Sequence, residues 1–349
     1  MPIKNYGVWV AKPVRVSAER AEEDPKSPHI HLFYDDGSSG GNFNGARRAS
    51  INVKSKSALS ELVFWLIRDF QHPIVDKLRD LDVGFHDIPS QLAGLALDYI
   101  RGNLMELRTG SILPHDQPGG RDDIIDYVMP ELESAINRGA TIYLFGEPYE
   151  DKQGIHNIHM NQGSQAEFKK FNGVWQDGGV LIYFPDADRF DAIFLAFASQ
   201  AVHTDEITGH SLSGSQNFAQ LIRGEVPDDE TRITDDMRVA IIAALVNPID
   251  NENQPGATGK PEKVYLLNRL PQAIGIKGWS LLNSSDTAYT ITDDITLAPG
   301  EVKMIEIKGV PLTNKGGLIS LLDNQGIKVD GVSYTKNQAS KEGEVVIFR

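Results

Sequence analysis

The sequence predicts an α+β N-terminal domain followed by a small all-β sandwich, and three observations carry that reading. The first is size: 349 residues with 40% hydrophobic content are enough for two domains that each bury a core. The second is the stretch from Val246 to Lys263, VNPIDNENQPGATGKPEK, rich in Pro, Gly and Asn and nearly free of large apolar side chains, which is linker composition. The third is a change of pattern across it, from mixed strand and helix periods to short strands at close spacing. The predicted boundaries are 1–245, with a core at about 3–210, then a linker at 246–263 and a sandwich at 264–349.

In the first domain, YGVWVAKPVRV and HIHLFY predict strands, SALSELVFWLIRDF an amphipathic helix, and DDIIDYVMPELESAINRGA a second helix ending at Gly139. TIYLFGE, GVLIYF and DAIFLAFASQ follow as buried strands, and TDDMRVAIIAALV predicts a last helix before the linker. Beyond the linker, KVYLLNRL, GWSLLN, YTITDD, EVKMIEI, LISLLD and EVVIF are strands separated by Gly, Pro and Asn turns.

Composition limits the function. Lys+Arg 34 against Asp+Glu 48 gives a net charge of −14, which repels phosphate polymers unless positive charge is gathered locally and so argues against a general nucleic-acid coat protein. Cysteine is absent, so any metal must be held by His, Asp, Glu or amides. The N-terminal residues lack the apolar core of a signal peptide, and no run approaches the ~20 apolar residues of a membrane span. The default expectation is the cytoplasm, with leaderless export leaving no trace in the sequence. Phosphate loops, GxSxG elbows and HExxH motifs are missing, which argues against P-loop ATPases, ordinary esterases and common metalloproteases.

Two resemblances add to this. Gly278-Trp279, LAPGE (297–301), NKGGLISLLD (314–323), Gly326, VDGVSY (329–334) and Phe348 occur in the order of a lamin-tail domain. That resemblance implies an immunoglobulin-like sandwich and an attachment role. In the first domain, IKNYGVWV, INVKS, LALDYIRGN, LPHDQPG, GIHNIHMNQG, NGVWQDGG and FASQAVHTDEITGH resemble the YukJ-like bacterial proteins, a domain of unknown function (DUF2278). This second resemblance implies no particular activity.

All 9 histidines lie between His29 and His210, which places any chemistry in the first domain. On alternating strands His29, His31 and Phe33 share one face of a hairpin and Arg48, Ser50, Asn52 and Lys54 share one face of its partner. From Gly45 to Ser60, Arg47, Arg48, Lys54 and Lys56 meet no acidic residue, a local charge reversal suited to an anion, although a merely solvated face reads the same way. IHLFYDDGSSGGNFNG (30–45) and IHMNQGSQAEFKKFNG (158–173) both run from Ile-His to Phe-Asn-Gly; as a duplication they make His31 and His159 equivalents, and as chance they carry nothing.

His156 and His159, three apart, suit chelation from a helix turn or tight loop, with His203, Asp205 and Glu147 as further ligands for one divalent ion such as zinc, manganese or magnesium. A loop pinned by imidazole hydrogen bonds is the plain alternative. Without a metal, His31 and His159 serve as nucleophile or base and as acid, and Arg48, Asn52, Lys54, Asn161 and Gln162 hold phosphate oxygens. That logic is similar to the phospholipase D-type phosphodiesterases, but they carry Lys two residues after the His, where Phe33 and Asn161 stand. His72, before Pro73, has a structural role at a helix break.

The expectation is therefore a phosphodiester hydrolase, nuclease-like or phospholipase-like, with catalytic His31, His159, His203 and Asp205. The alternative is a non-enzymatic adaptor that binds an anion and docks a protein or envelope partner through the lamin-tail domain.

Overall fold

The computed structural model describes residues 5–19, 23, 28–38, 40–54, 61–88, 95–115, 119–161, 176–205, 210–225, 238–249 and 260–349. The chain is mostly β, with 44% strand and 11% helix, and it forms two compact units.

In the first unit, β1 (Gly7–Ala18) is shared between two neighbours. Its first half pairs antiparallel with β7 (Thr141–Pro148), its second half with β2 (His29–Asp35), and the register slips between Pro13 and Arg15. β2 pairs antiparallel with β3 (Arg47–Asn52), β3 pairs parallel with β8 (Gly154–Ile158), and β8 pairs antiparallel with the end of β7. The ring β1-β2-β3-β8-β7 thus closes on itself as a barrel, and closure removes the exposed edges an open sheet would carry. Ile30, Leu32, Ala49, Ile51, Ile142, Leu144, Ile155 and Ile158 point into one fully buried core.

The ring is extended through β5 (Gly84–Asp87) on β1 and through β9 (Gly179–Phe184), β10 (Arg189–Phe197), β4 (Leu62–Ile67) and β6 (Ser111–Leu113) beyond β7. α1 (Ile74–Leu78) is a short turn, and α2 (Ile124–Asn137) is the expected second helix. Asp123 caps α2 by accepting from the Asp126 amide, and Gly139, at φ +63, follows its end. Ile124, Ile125, Val128 and Leu132 bury one face of α2 in the barrel core.

Two expected helices are strands. Leu62–Ile67, inside SALSELVFWLIRDF, pairs along its whole length with β10, and Leu62 to Trp65 are buried. A continuous apolar run of that length suits a strand covered on both faces, and pairing overrides the helical spacing. Val239–Leu245, inside TDDMRVAIIAALV, is β11 and pairs with β12 (Glu262–Asn268). The first domain is therefore a β-barrel with added strands, in place of the α+β layering expected.

The second unit comprises 71–76, 100–105 and 230–349, so it takes in β11, which the predicted boundary at 245 placed in the first domain. One sheet orders β17 (Val302–Ile307), β12, β11 and β20 (Val346–Ile347); another orders β15 (Ala288–Thr290), β14 (Ser280–Asn283), β18 (Gly316–Leu322) and β19 (Lys328–Thr335), and β13 (Ile274–Gly275) pairs with β16 (Thr296–Leu297). Both four-stranded sheets contribute to one core, with Ile241, Val264 and Ile305 from the first and Leu281, Ile319 and Val332 from the second. Each segment expected as a strand after the linker contains one. Asn103 donates from its amide to the carbonyls of Ile319 and Val332, and His72 Nδ1 accepts from the Ile74 amide, the structural role expected of it. Among the described residues no helix is long and apolar enough to cross a membrane.

The parallel seam between β3 and β8 requires a glycine. Gly154 has φ +152, and a Cβ there would fall 1.7 Å from the Arg48 carbonyl oxygen. Gly154→Ala is therefore expected to cost about 2–4 kcal/mol, read as a lowered urea midpoint with an unchanged slope. A loss of less than about 0.5 kcal/mol would show that the seam tolerates separation.

Candidate functional site

The ladder between β2 and β3 sets His29 opposite Asn52, His31 opposite Ser50 and Phe33 opposite Arg48. Opposed residues of an antiparallel pair share a face, so the polar face expected from alternation exists, on the outside of the barrel. The inward partners Ile30, Leu32, Ala49 and Ile51 are fully buried, and that apolar set fixes the register.

Glu19 directly follows the last residue of β1. Its amide donates to the His29 carbonyl at 2.8 Å, which holds it against β2. The Glu19 carboxylate lies 3.7 Å from His29 Nδ1 and 3.8 Å from His31 Nε2, and the three ligand atoms lie within 4.8 Å of one another. These separations exceed hydrogen-bond length and approach the ~3.4 Å between neighbouring ligands of a tetrahedral zinc ion. Two imidazoles and one carboxylate suit zinc or manganese better than magnesium, which prefers oxygen ligands.

The three residues open onto a cleft of about 420 Å³. β3 adds Arg48 and Ser50, β8 adds His156 and Asn157, and the β7–β8 loop adds Tyr149 and Glu150. The Tyr149 hydroxyl hydrogen-bonds Ser50 Oγ at 2.6 Å and accepts from Arg48 at 3.2 Å, and its ring packs on His156 at 5.2 Å between centroids. Glu147 stands opposite His156 in the β7–β8 ladder, with its carboxylate 3.9 Å from Nε2. Burial, with the Arg48 guanidinium beside it, holds the His31 imidazole below the usual histidine range despite Glu19. Burial and neighbouring His29 do the same for His156. Both rings are therefore poised neutral, as metal ligands and proton acceptors must be. Asn52, beside His29, is 5% exposed, and its Oδ1 has no hydrogen-bond partner among the described residues.

The remaining expected site residues lie elsewhere. Asn157, at φ +53, carries a bulge in β8, and the register steps from Ala49–Ile155 to Ile51–Ile158. His156 and His159 therefore lie on a bulged strand and its end, not on a helix turn. His159 Nδ1–H donates to the Met160 carbonyl and its ring packs on Phe197 at 4.8 Å, while His31 lies mid-strand on the cleft, so the two are not equivalents. The Asn161 amide donates to the His159 carbonyl at 3.0 Å, and its backbone N–H donates to Asp177; both serve packing. His203 is buried in a loop where its N–H donates to Ser215 Oγ, and the Asp205 amide donates to the His210 carbonyl; neither lines the cleft.

Lys54 does not line the cleft either, and Gln162 falls outside the described residues, as does most of the second half of the supposed repeat. Of the cationic island, Arg47 pairs with Asp36 at 2.7 Å, Arg48 lines the cleft, and Lys56 falls outside the described residues. Spacing gave no signal for Glu19, because it is the antiparallel register of β1 on β2, with Ala18 opposite Ile30, that brings Glu19 beside His29. His29 was legible as a face residue, sharing with His31 the alternation that sets both beside Glu19.

These features define a β-barrel domain with a candidate His–His–carboxylate metal centre on its outer face. The profile described as "Uncharacterized conserved protein (DUF2278)" matches residues 1–209, and the chain belongs to that family. It is also 35% identical over 220 residues to "Uncharacterized protein YukJ" of Bacillus subtilis (strain 168), a match covering 59% of this chain and 93% of that protein.

Burial drives the His159 imidazole down to about 4, against the pull of the Met160 carbonyl. An ordinary histidine takes a proton near 6.5, so as pH falls from about 6.5 to about 4 the unfolded chain gains a proton that the folded one resists. Stability present above that window is lost within it, on the order of 1–3 kcal/mol. His159→Asn, which keeps a donor for Met160, should flatten the fall in Tm between pH 7 and pH 5. An unchanged slope would show that the ring is solvated.

Proposed function

We propose that the first unit is a metal-assisted hydrolase of phosphodiesters working at Glu19, His29 and His31. The observation that carries the reading is the convergence of those three ligand atoms at the mouth of a cleft that also holds a cation and two further proton-bearing groups. A divalent ion in such a set supplies a Lewis acid and lowers the pKa of a bound water to about 7. One carboxylate and two neutral imidazoles leave a divalent centre with net positive charge, which attracts the anionic ester that the protein as a whole repels.

The other residues then take distinct roles. Arg48 pairs with a nonbridging phosphate oxygen, and the Tyr149 phenol, oriented by Ser50, donates to a second one. His156, neutral and on the cleft wall, accepts the proton of the attacking water.

For the second unit, two four-stranded sheets over one core support the lamin-tail resemblance and its immunoglobulin-like sandwich. We assign it attachment to a partner. Val302 and Met304 are exposed two residues apart on the edge strand β17, an apolar pair that would serve the adaptor reading, in which the barrel binds an anion without turnover.

Hydrolysis of bis(p-nitrophenyl) phosphate decides between them. The full chain should turn it over, lose activity in EDTA and regain it with zinc or manganese. His31→Ala should lower kcat/KM by about a hundredfold or more. Inactivity with every divalent ion tried, or equal activity of His31→Ala, would overturn the hydrolase reading in favour of the adaptor.

A further inference from the structure

The order in which the first unit's ring closes identifies the face on which a ligand would lie. Call its five strands, β1, β2, β3, β7 and β8, first to fifth in chain order. The first pairs with both the second and the fourth, the third pairs parallel with the fifth, and α2 stands between the third and fourth and packs on the first. This is the arrangement of an oligonucleotide/oligosaccharide-binding barrel, with β4 to β6 inserted ahead of the helix. Such barrels take ligands across the outer face of the second and third strands, between the first–second and fourth–fifth loops. In this chain those elements are β2, β3, Glu19 at the end of β1 and the loop 149–153. The cleft is built from those elements, with β8 as its remaining wall.

We infer that the cleft takes single-stranded nucleic acid, laid across β2 and β3 with a backbone phosphate at the Glu19–His29–His31 centre. This deepens the phosphodiesterase reading and rests on it for what happens to the strand. The face supplies both elements of single-strand recognition, rings for bases and cations for phosphates. From the centre outward, His29, His31, Phe33 and Phe43 form a row with centroids 6.2, 6.4 and 5.6 Å apart, in which Phe33 is buried and His29, His31 and Phe43 are the partly exposed rings. Arg15 lies 3.9 Å over Phe33, and Arg48 stands between Phe43 at 4.8 Å and Tyr149 at 5.3 Å. Arg48 Nε is buried without a hydrogen-bond partner among the described residues, a donor left for a phosphate oxygen.

A lipid fits less well, because among the described residues no aliphatic side chain lines the cleft for an acyl chain to pack on. A duplex fits less well because its bases, paired and stacked, cannot reach the rings. With Arg15 and Arg48 as the cations, binding should be weak in its salt dependence, about two phosphate contacts at a slope of ~0.7 each.

The test is fluorescence anisotropy with the full chain and a labelled oligothymidylate of about a dozen nucleotides, in EDTA so that nothing is cleaved. Micromolar binding is expected, weakened about tenfold in Phe43→Ala and in Arg15→Gln. Glu19→Gln should tighten it severalfold, because without metal that carboxylate repels the backbone; a gain of binding cannot come from misfolding. Absence of binding, equal or tighter binding of the matching duplex or of phosphatidylglycerol vesicles, or variants indistinguishable from wild type would overturn the inference. Single-strand binding of this pattern in a protein that hydrolyses no small diester would leave the inference standing and remove the hydrolase reading alone.

Discussion

Closure of the barrel at one parallel seam is the constraint on which the rest of the first unit depends. Gly154 approaches the Arg48 backbone more closely than any side chain would allow, and this contact joins β3 to β8. It sets His156 and Tyr149 on one wall of the cleft and Arg48 and Ser50 on the next. Without it, β8 would be an edge strand held only by the end of β7, and the cleft would lose a side. The register slip in β1 at Pro13 is the complementary device, since it lets one strand serve two neighbours and return the chain to β2 at Glu19.

The barrel also separates packing from chemistry. Inside, Ile30, Leu32, Ala49, Ile51, Ile155 and Ile158 are fully buried, so a slip of one residue would put histidines into the core. Outside, the alternate positions are free to hold polar groups. Several segments that carry the family resemblance serve packing: Tyr99 donates to the Gly178 carbonyl, Asp177 accepts from the Tyr99 and Asn161 amides, and Asn103 bridges β18 and β19. These contacts hold loops that a sheet alone would leave loose.

What the sequence made legible follows from the range of the interactions involved. The alternation in HIHLFY and RRASIN is local, and it predicted the shared face of β2 and β3 residue by residue. The apolar runs LVFWLI and AIIAAL are local too, but a doubly covered strand and a buried helix look alike in such runs, and pairing with β10 and β12 decided both. Alanines in the second run favoured helix by propensity, a weaker force than burial in a ladder. HxxH misled because one bulge at Asn157 changes what a spacing of three means. The parallel seam and the barrel order come from contacts distant in sequence, and the approach of Glu19 to His29 from the register of β1 on β2, none of which composition or period records.

The central claim is that Glu19, His29 and His31 are pulled together onto one ion. X-ray absorption at the zinc edge, on protein loaded with one equivalent of zinc, tests it most directly. The account predicts a low-coordinate site with nitrogen and oxygen ligands at about 2.0–2.1 Å and the outer-shell scattering of two imidazoles, reduced to one in His31→Ala. A spectrum of six oxygens without imidazole scattering, or one identical in the variant, would contradict it.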